Sequence, residues 1–137
     1  MKVLKQVLGV DVSQNELEVT LGKLNDDLSI ELYFHKVFKN QESGFQLIEK
    51  LILKNTDTNL PTSIVMEATG VYHQKFAYHM FDKGFVVNII LPNKISNYMK
   101  TLDIKTVTDK TCSEAIARFG LERKLDKWNK PKDVYRV

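Results

Sequence analysis

Residues 3–13 read VLKQVLGVDVS, a strand-like run whose period-2 register sets Leu8, Val10 and Val12 on one face and Val7, Gly9, Asp11 and Ser13 on the other. Asp11 is therefore a carboxylate in an otherwise apolar strand. Working outward, residues 16–22 alternate again, with Leu17, Val19 and Leu21 inward and Glu16, Glu18 and Thr20 outward. Asn25, Asp26 and Asp27 supply turn chemistry before a third strand over 30–38, which makes an antiparallel meander. Asn40 is placed to cap a helix over 41–54, where Phe45, Ile48, Leu51 and Ile52 recur at helical spacing.

The second half changes rhythm. A polar loop over 55–61 leads to a short strand at 63–66 and a helix near 71–83, with Gly84 as its C′ residue. Residues 85–91 form a near-continuous apolar strand of the kind buried on both faces in parallel sheets. Pro92 and Asn93 open a helix carrying Ile95, Tyr98, Met99 and Leu102, and Thr108 caps another that runs to about Gly120. The order βββαβαβα predicts an α/β mixed sheet, antiparallel at first and parallel later, with helices on both faces. This is the order of the ribonuclease H-like fold.

Size and composition narrow the function classes. A chain of 137 residues fits one domain. The single cysteine, Cys112, excludes a disulfide scaffold and suits a reducing cytoplasm. No apolar run approaches the length of a membrane span, and no signal peptide is expected. Charge is uneven: residues 1–91 carry net −2 and residues 92–137 net +5. A nucleic acid partner fits that gradient, as do solvated helix faces.

Three carboxylates fall where a site can form. Asp11 lies in the first strand, Glu67 ends the fourth in the stretch MEATG, and Asp109 begins the last helix. Ligands gather at strand ends in α/β sheets, and clustered carboxylates repel one another unless they share a hard cation. Magnesium suits such a set, because it takes oxygen ligands and binds through a few carboxylates beside substrate phosphates. Taken singly, each acid also has a structural role open to it, as a turn partner, a cap or a charge at a helix N-terminus.

The stretches GVDVS at 9–13, MEATGVYH at 66–73, LPNKISNY at 91–98 and IKTVTDK at 104–110 together resemble the N-terminal domain of DEDD-type insertion-sequence transposases. That group is related to the Piv DNA invertase and includes the bridge-RNA-guided recombinases. The resemblance implies a Holliday-junction-resolvase-like (RuvC-like) fold in which four acids bind Mg2+ and act on DNA strands during transposition. Matching positions are Asp11, Glu67 and Asp109, expected to be both catalytic and metal-binding. It further implies DNA as partner, a guide RNA in some members, a C-terminal transposase domain and a homo-oligomer in the full-length protein.

Two departures stand out. Where the family pattern has its fourth acid, this chain has Cys112, a soft ligand poorly matched to magnesium and placed to lead a buried stripe with Ala115, Ile116 and Phe119. Family members also continue into a second domain that carries the serine nucleophile. The expected organisation is a RuvC-like domain over 1–120 and a connector over 121–137. The chain alone is expected to be feeble or inactive. Lys94, Lys105, Lys110 and Arg118 are candidates for phosphate contacts. Two other readings remain open: a non-catalytic nucleic-acid-binding or assembly module, and an actin-like ATP binder suggested only by GVDVS.

Overall fold

A computed structural model describes residues 2–102 and 108–131; Lys105 and the side chain of Asp109 lie outside the described residues. The elements are β1 (Val3–Val12), β2 (Glu16–Asn25), β3 (Ile30–Lys39), α1 (Glu42–Asn55), β4 (Thr62–Glu67), α2 (Gln74–Asp82), β5 (Val86–Ile90), α3 (Pro92–Thr101) and α4 (Asp109–Glu122). They build one five-stranded sheet in the order β3-β2-β1-β4-β5. The β1–β2 and β2–β3 pairs are antiparallel, while β1–β4 and β4–β5 are parallel. The mixed sheet anticipated from the element order is present.

Alternation in the strands feeds two separate cores. Leu8, Val10, Leu17, Val19 and Leu21 meet Phe45, Ile48 and Ile52 of α1 and Phe76 and Met80 of α2. On the other face Val7, Val65 and Ile90 meet Ile95 and Tyr98 of α3 and Ala115, Ile116 and Phe119 of α4. This second layer corrects the reading of β2. Thr20, expected to face outward, is 1% exposed, and its hydroxyl lies 2.8 Å from that of Ser113 on α4. The Thr20 hydroxyl meets the helix above it, so its polarity did not signal solvent.

Local details differ from expectation in three places. Gln41, not Asn40, precedes α1, without a side-chain cap. Asn40 instead donates from Nδ2 to the carbonyls of Ser13 (2.9 Å) and Tyr72 (3.0 Å), tying the β1–β2 turn to the loop after β4. Second, α2 begins only at Gln74, and Val71 and Tyr72, expected in its first turn, are exposed ahead of it. Third, α4 continues through Gly120 to Glu122, because the glycine lets the helix rest on the Val65 and Val7 side chains. The cap expected at Thr108 is present, and it is half of a capping box: its hydroxyl accepts from the Thr111 N–H at 3.2 Å, and its own N–H donates to the Thr111 hydroxyl at 2.8 Å.

Beyond α4 the chain turns back along β5. The Trp128 N–H donates to the Val87 carbonyl at 2.7 Å, and Asn88 Nδ2 donates to the Asp126 carbonyl at 2.7 Å. The indole packs on Tyr78 and Phe81 of α2, each with ring centroids 5.6 Å apart. Lys130 pairs with Asp82 at 2.8 Å. Extended chain thus covers part of a sheet edge that would otherwise offer unpaired backbone groups.

Candidate active site

The site forms where β1 and β4 end side by side. Val10 and Met66 are the last residues in register between these parallel strands, and Asp11 and Glu67 are the next residue of each. Neighbouring strands run about 4.8 Å apart, so the two positions are adjacent. Alternation gives both the face shared by Val7, Gly9 and Val65, the face that α4 covers. Gly9 is what allows α4 to lie so close. A Cβ there would run into the backbone N of Ala117 and come within 2.6 Å of the Ser113 carbonyl oxygen.

Helix α4 starts over this spot. Thr108 fixes its first turn, and Cys112 follows one turn into it. Glu67 and Cys112 line a cleft of about 630 Å3 together with Asn93, Ser96, Met99 and Lys100 of α3. Cys112 is only partly buried, so the reading of an enclosed thiol is corrected: Ser113 and Ala115 take the inner positions of the helix, and the thiol faces the cleft rim.

Burial pushes the Glu67 carboxyl above the ordinary glutamate range, and no hydrogen bond or ion pair compensates its charge among the described residues. The sign of the consequence follows from linkage. The folded chain holds the proton more tightly than the unfolded chain, so stability falls as pH rises through that range. Glu67→Gln is therefore expected to melt at a higher temperature than the native chain at pH 7 without divalent cations. The difference should vanish below about pH 4, where the native carboxyl is protonated in both states. Thermal melts of both proteins across pH check this.

Asp11 has Glu18 directly across the β1–β2 pair, and Glu18 Oε1 lies 3.5 Å from His35 Nε2 on β3. Glu18, expected to face outward, thus stands beside the site. A usable signal was there, since a tight turn between Ser13 and Glu16 pairs residues symmetrically about itself and so sets position 18 opposite position 11. On the other side of the site, the buried His73 ring is pushed down in pKa, and its Nδ1 accepts from the Thr69 N–H at 3.2 Å. His73 thereby braces the loop that follows Glu67 as a neutral ring.

Among the described residues no three His, Cys, Asp or Glu side chains cluster closely enough to hold a metal ion. The described residues bring Asp11 and Glu67 to neighbouring positions, and Asp109 is the first residue of the helix above them. Of the phosphate-contact candidates, Lys94 and Lys110 are exposed at the starts of α3 and α4, and Arg118 is partly buried within electrostatic reach of Tyr98.

Residues 8–136 match the family model of the DEDD transposases of the IS110 group, described as Transposase. The chain belongs to this transposase family. The pilin gene-inverting protein of Moraxella bovis is 26% identical over 129 residues, covering 94% of this chain and 38% of that protein. Its counterpart in Moraxella lacunata matches to the same extent. The transposase chain thus spans a little over a third of the length of these relatives. Among solved structures, Thermus thermophilus RuvC superposes with a TM-score of 0.61 at 15% identity, covering 90% of this chain and 99% of that one. The fowlpox virus Holliday junction resolvase does so with a TM-score of 0.57 at 12% identity, covering 85% and 97%. At those identities the likeness is one of fold, and it gives the transposase domain a RuvC-like, ribonuclease H-like architecture. No helix among the described residues is long and apolar enough to cross a membrane.

Proposed function

We propose that this transposase domain holds Mg2+ between Asp11, Glu67 and Asp109 and uses it to process DNA strands during transposition of an insertion sequence. The observation that carries the reading is the placement of Asp11 and Glu67 at adjacent strand ends beneath the start of α4, although they are far apart in sequence. The chemistry of the donors fits: two hard carboxylate oxygens, one of them on a half-buried side chain that lacks a compensating cation. When bound, magnesium supplies charge neutralisation for a phosphodiester under attack. The residues' own part is to position it, with Gly9 setting the depth of α4, Thr108 fixing the first turn and His73 bracing the loop after Glu67. Lys94, Lys105, Lys110 and Arg118 supply phosphate contacts on the DNA.

The four-acid set lacks its last member at Cys112, and the chain represents part of the length of its relatives. We therefore assign residues 1–120 to the RuvC-like domain and 121–137 to the connection toward a C-terminal transposase domain. Strand cleavage and transfer belong to the longer protein, a cytoplasmic homo-oligomer acting on DNA with or without a guide RNA. The domain alone is feeble or inactive.

Magnesium titration by calorimetry tests the reading. The native chain is expected to bind the ion weakly, and Asp11→Asn is expected to lose at least about tenfold in affinity, equivalent to about 1.4 kcal/mol. Equal affinities for the two proteins would refute it.

A further inference from the structure

A second groove, of about 380 Å3, lies at the opposite end of the parallel strands, beyond the C-terminus of α4. Lys5, Arg123, Lys124 and Lys127 line it, with Ser63 near the start of β4 and Asn88 of β5. Ser63 and Glu67 sit four positions apart on one strand, so groove and catalytic cleft are separated by roughly 13 Å along β4.

A structural explanation accounts for part of this charge. Lys5 Nζ donates to the Arg123 carbonyl at 2.9 Å, which caps the negative end of α4, and the Arg123 guanidinium lies over the Phe119 ring at 5.2 Å. It does not account for the rest. A helix C-terminus carries about half a negative charge. Glu122 adds one, but it is engaged by the Tyr98 hydroxyl at 2.8 Å. Even with Asp126 of the same segment counted, four cations leave a positive excess above one. Lys124 and Lys127 are exposed and have no ion pair among the described residues. Like charges held around one concave surface favour an anion there, and a groove open to solvent at both lysines suits a chain of phosphates better than a small enclosed anion.

We propose that this groove is a second nucleic-acid site, which grips a phosphodiester backbone by charge at the end of the sheet away from the acids. It requires no metal and therefore stands independently of the magnesium reading. A strand held there lies on the same molecule as the strand being processed, which gives the domain a way to hold two nucleic-acid segments at a fixed separation.

Fluorescence anisotropy in EDTA, with a labelled 20-base-pair DNA duplex and an RNA duplex of equal length as probes, tests the proposal. The Lys124→Glu/Lys127→Glu double variant is expected to bind at least about tenfold more weakly. Its dependence of log affinity on log salt should be shallower by about two, since each phosphate contact contributes about 0.9 on B-DNA. Circular dichroism should show an unchanged fold, because both side chains are exposed. Lys54→Glu, a charge change at an exposed position of α1 on the other face of the sheet, should bind as tightly as the native chain. Whichever duplex binds more tightly with this sensitivity identifies the nucleic acid held. Binding by neither duplex, equal binding by the double variant, or an equal loss in Lys54→Glu would overturn the proposal.

Discussion

Gly9→Ala is expected to cost the domain at least about 3 kcal/mol, the upper end of the usual cost of overpacking. The added methyl would meet the backbone of α4, within 2.6 Å of the Ser113 oxygen and 2.7 Å of the Ala117 Cα. Side chains can rotate away from such a contact, but a helical backbone cannot. The helix must therefore lift from β1, and lifting it opens the second core and breaks the buried Thr20–Ser113 hydroxyl pair. Gly120 marks the same close approach further along the helix, over Val65 and Val7, so lifting α4 loses packing there too. Chemical denaturation of the variant checks the cost. The same change should weaken magnesium binding, because α4 carries Asp109 and Cys112 and its height over β1 sets where they stand.

Cys112→Asp is expected to raise magnesium affinity by about tenfold or more, since ion affinity in oxygen sites follows the number of charged ligands. Positions 109 and 112 are one turn apart on α4 and share a side of the helix. Position 112 also lines the cleft that Glu67 lines, so a carboxylate placed there has a route to the ion. Without divalent cations the variant should be less stable than the native chain, because another acid then joins the uncompensated Glu67 carboxyl. Calorimetric titration and melts with and without magnesium separate the two effects. A variant that binds magnesium no better than the native chain would remove position 112 from the site.

Much of the fold was readable from period alone. The alternations in 3–13 and 16–22 gave β1 and β2 their faces, and Gly84, with φ of 89°, ends α2 as its place in the sequence implied. The errors share a cause. Thr20 and Glu18 looked solvent-facing because polarity in a strand is ambiguous: a hydroxyl that meets another hydroxyl under a helix reads the same as one that meets water. The packing of Trp128, within the stretch 121–137 expected as a connector, was hidden for a similar reason. Its partners Tyr78, Phe81 and the Val87 carbonyl are distant in sequence, and one indole followed by lysines carries no period that would announce them.

For the site, strand ends and motif order singled out Asp11 and Glu67, and the β1–β4 register makes them neighbours. The Asn93, Ser96 and Lys100 wall of the cleft was not anticipated. Those residues recur at three- and four-residue spacing on α3, but they would look the same on any solvated helix until a cleft is seen beside them. Cys112 was misjudged because its spacing to Ala115, Ile116 and Phe119 suggested a core stripe, whereas the first turn of α4 overhangs the sheet end.

The central claim is that the ends of β1 and β4 hold a divalent ion. Crystals of the domain soaked in manganese, which binds the same oxygen ligands and scatters anomalously, test it most directly. The account predicts an anomalous peak within coordination distance of the Asp11 and Glu67 carboxylates, lost in Glu67→Gln. A peak elsewhere, or none at these two acids at saturating manganese, would contradict it.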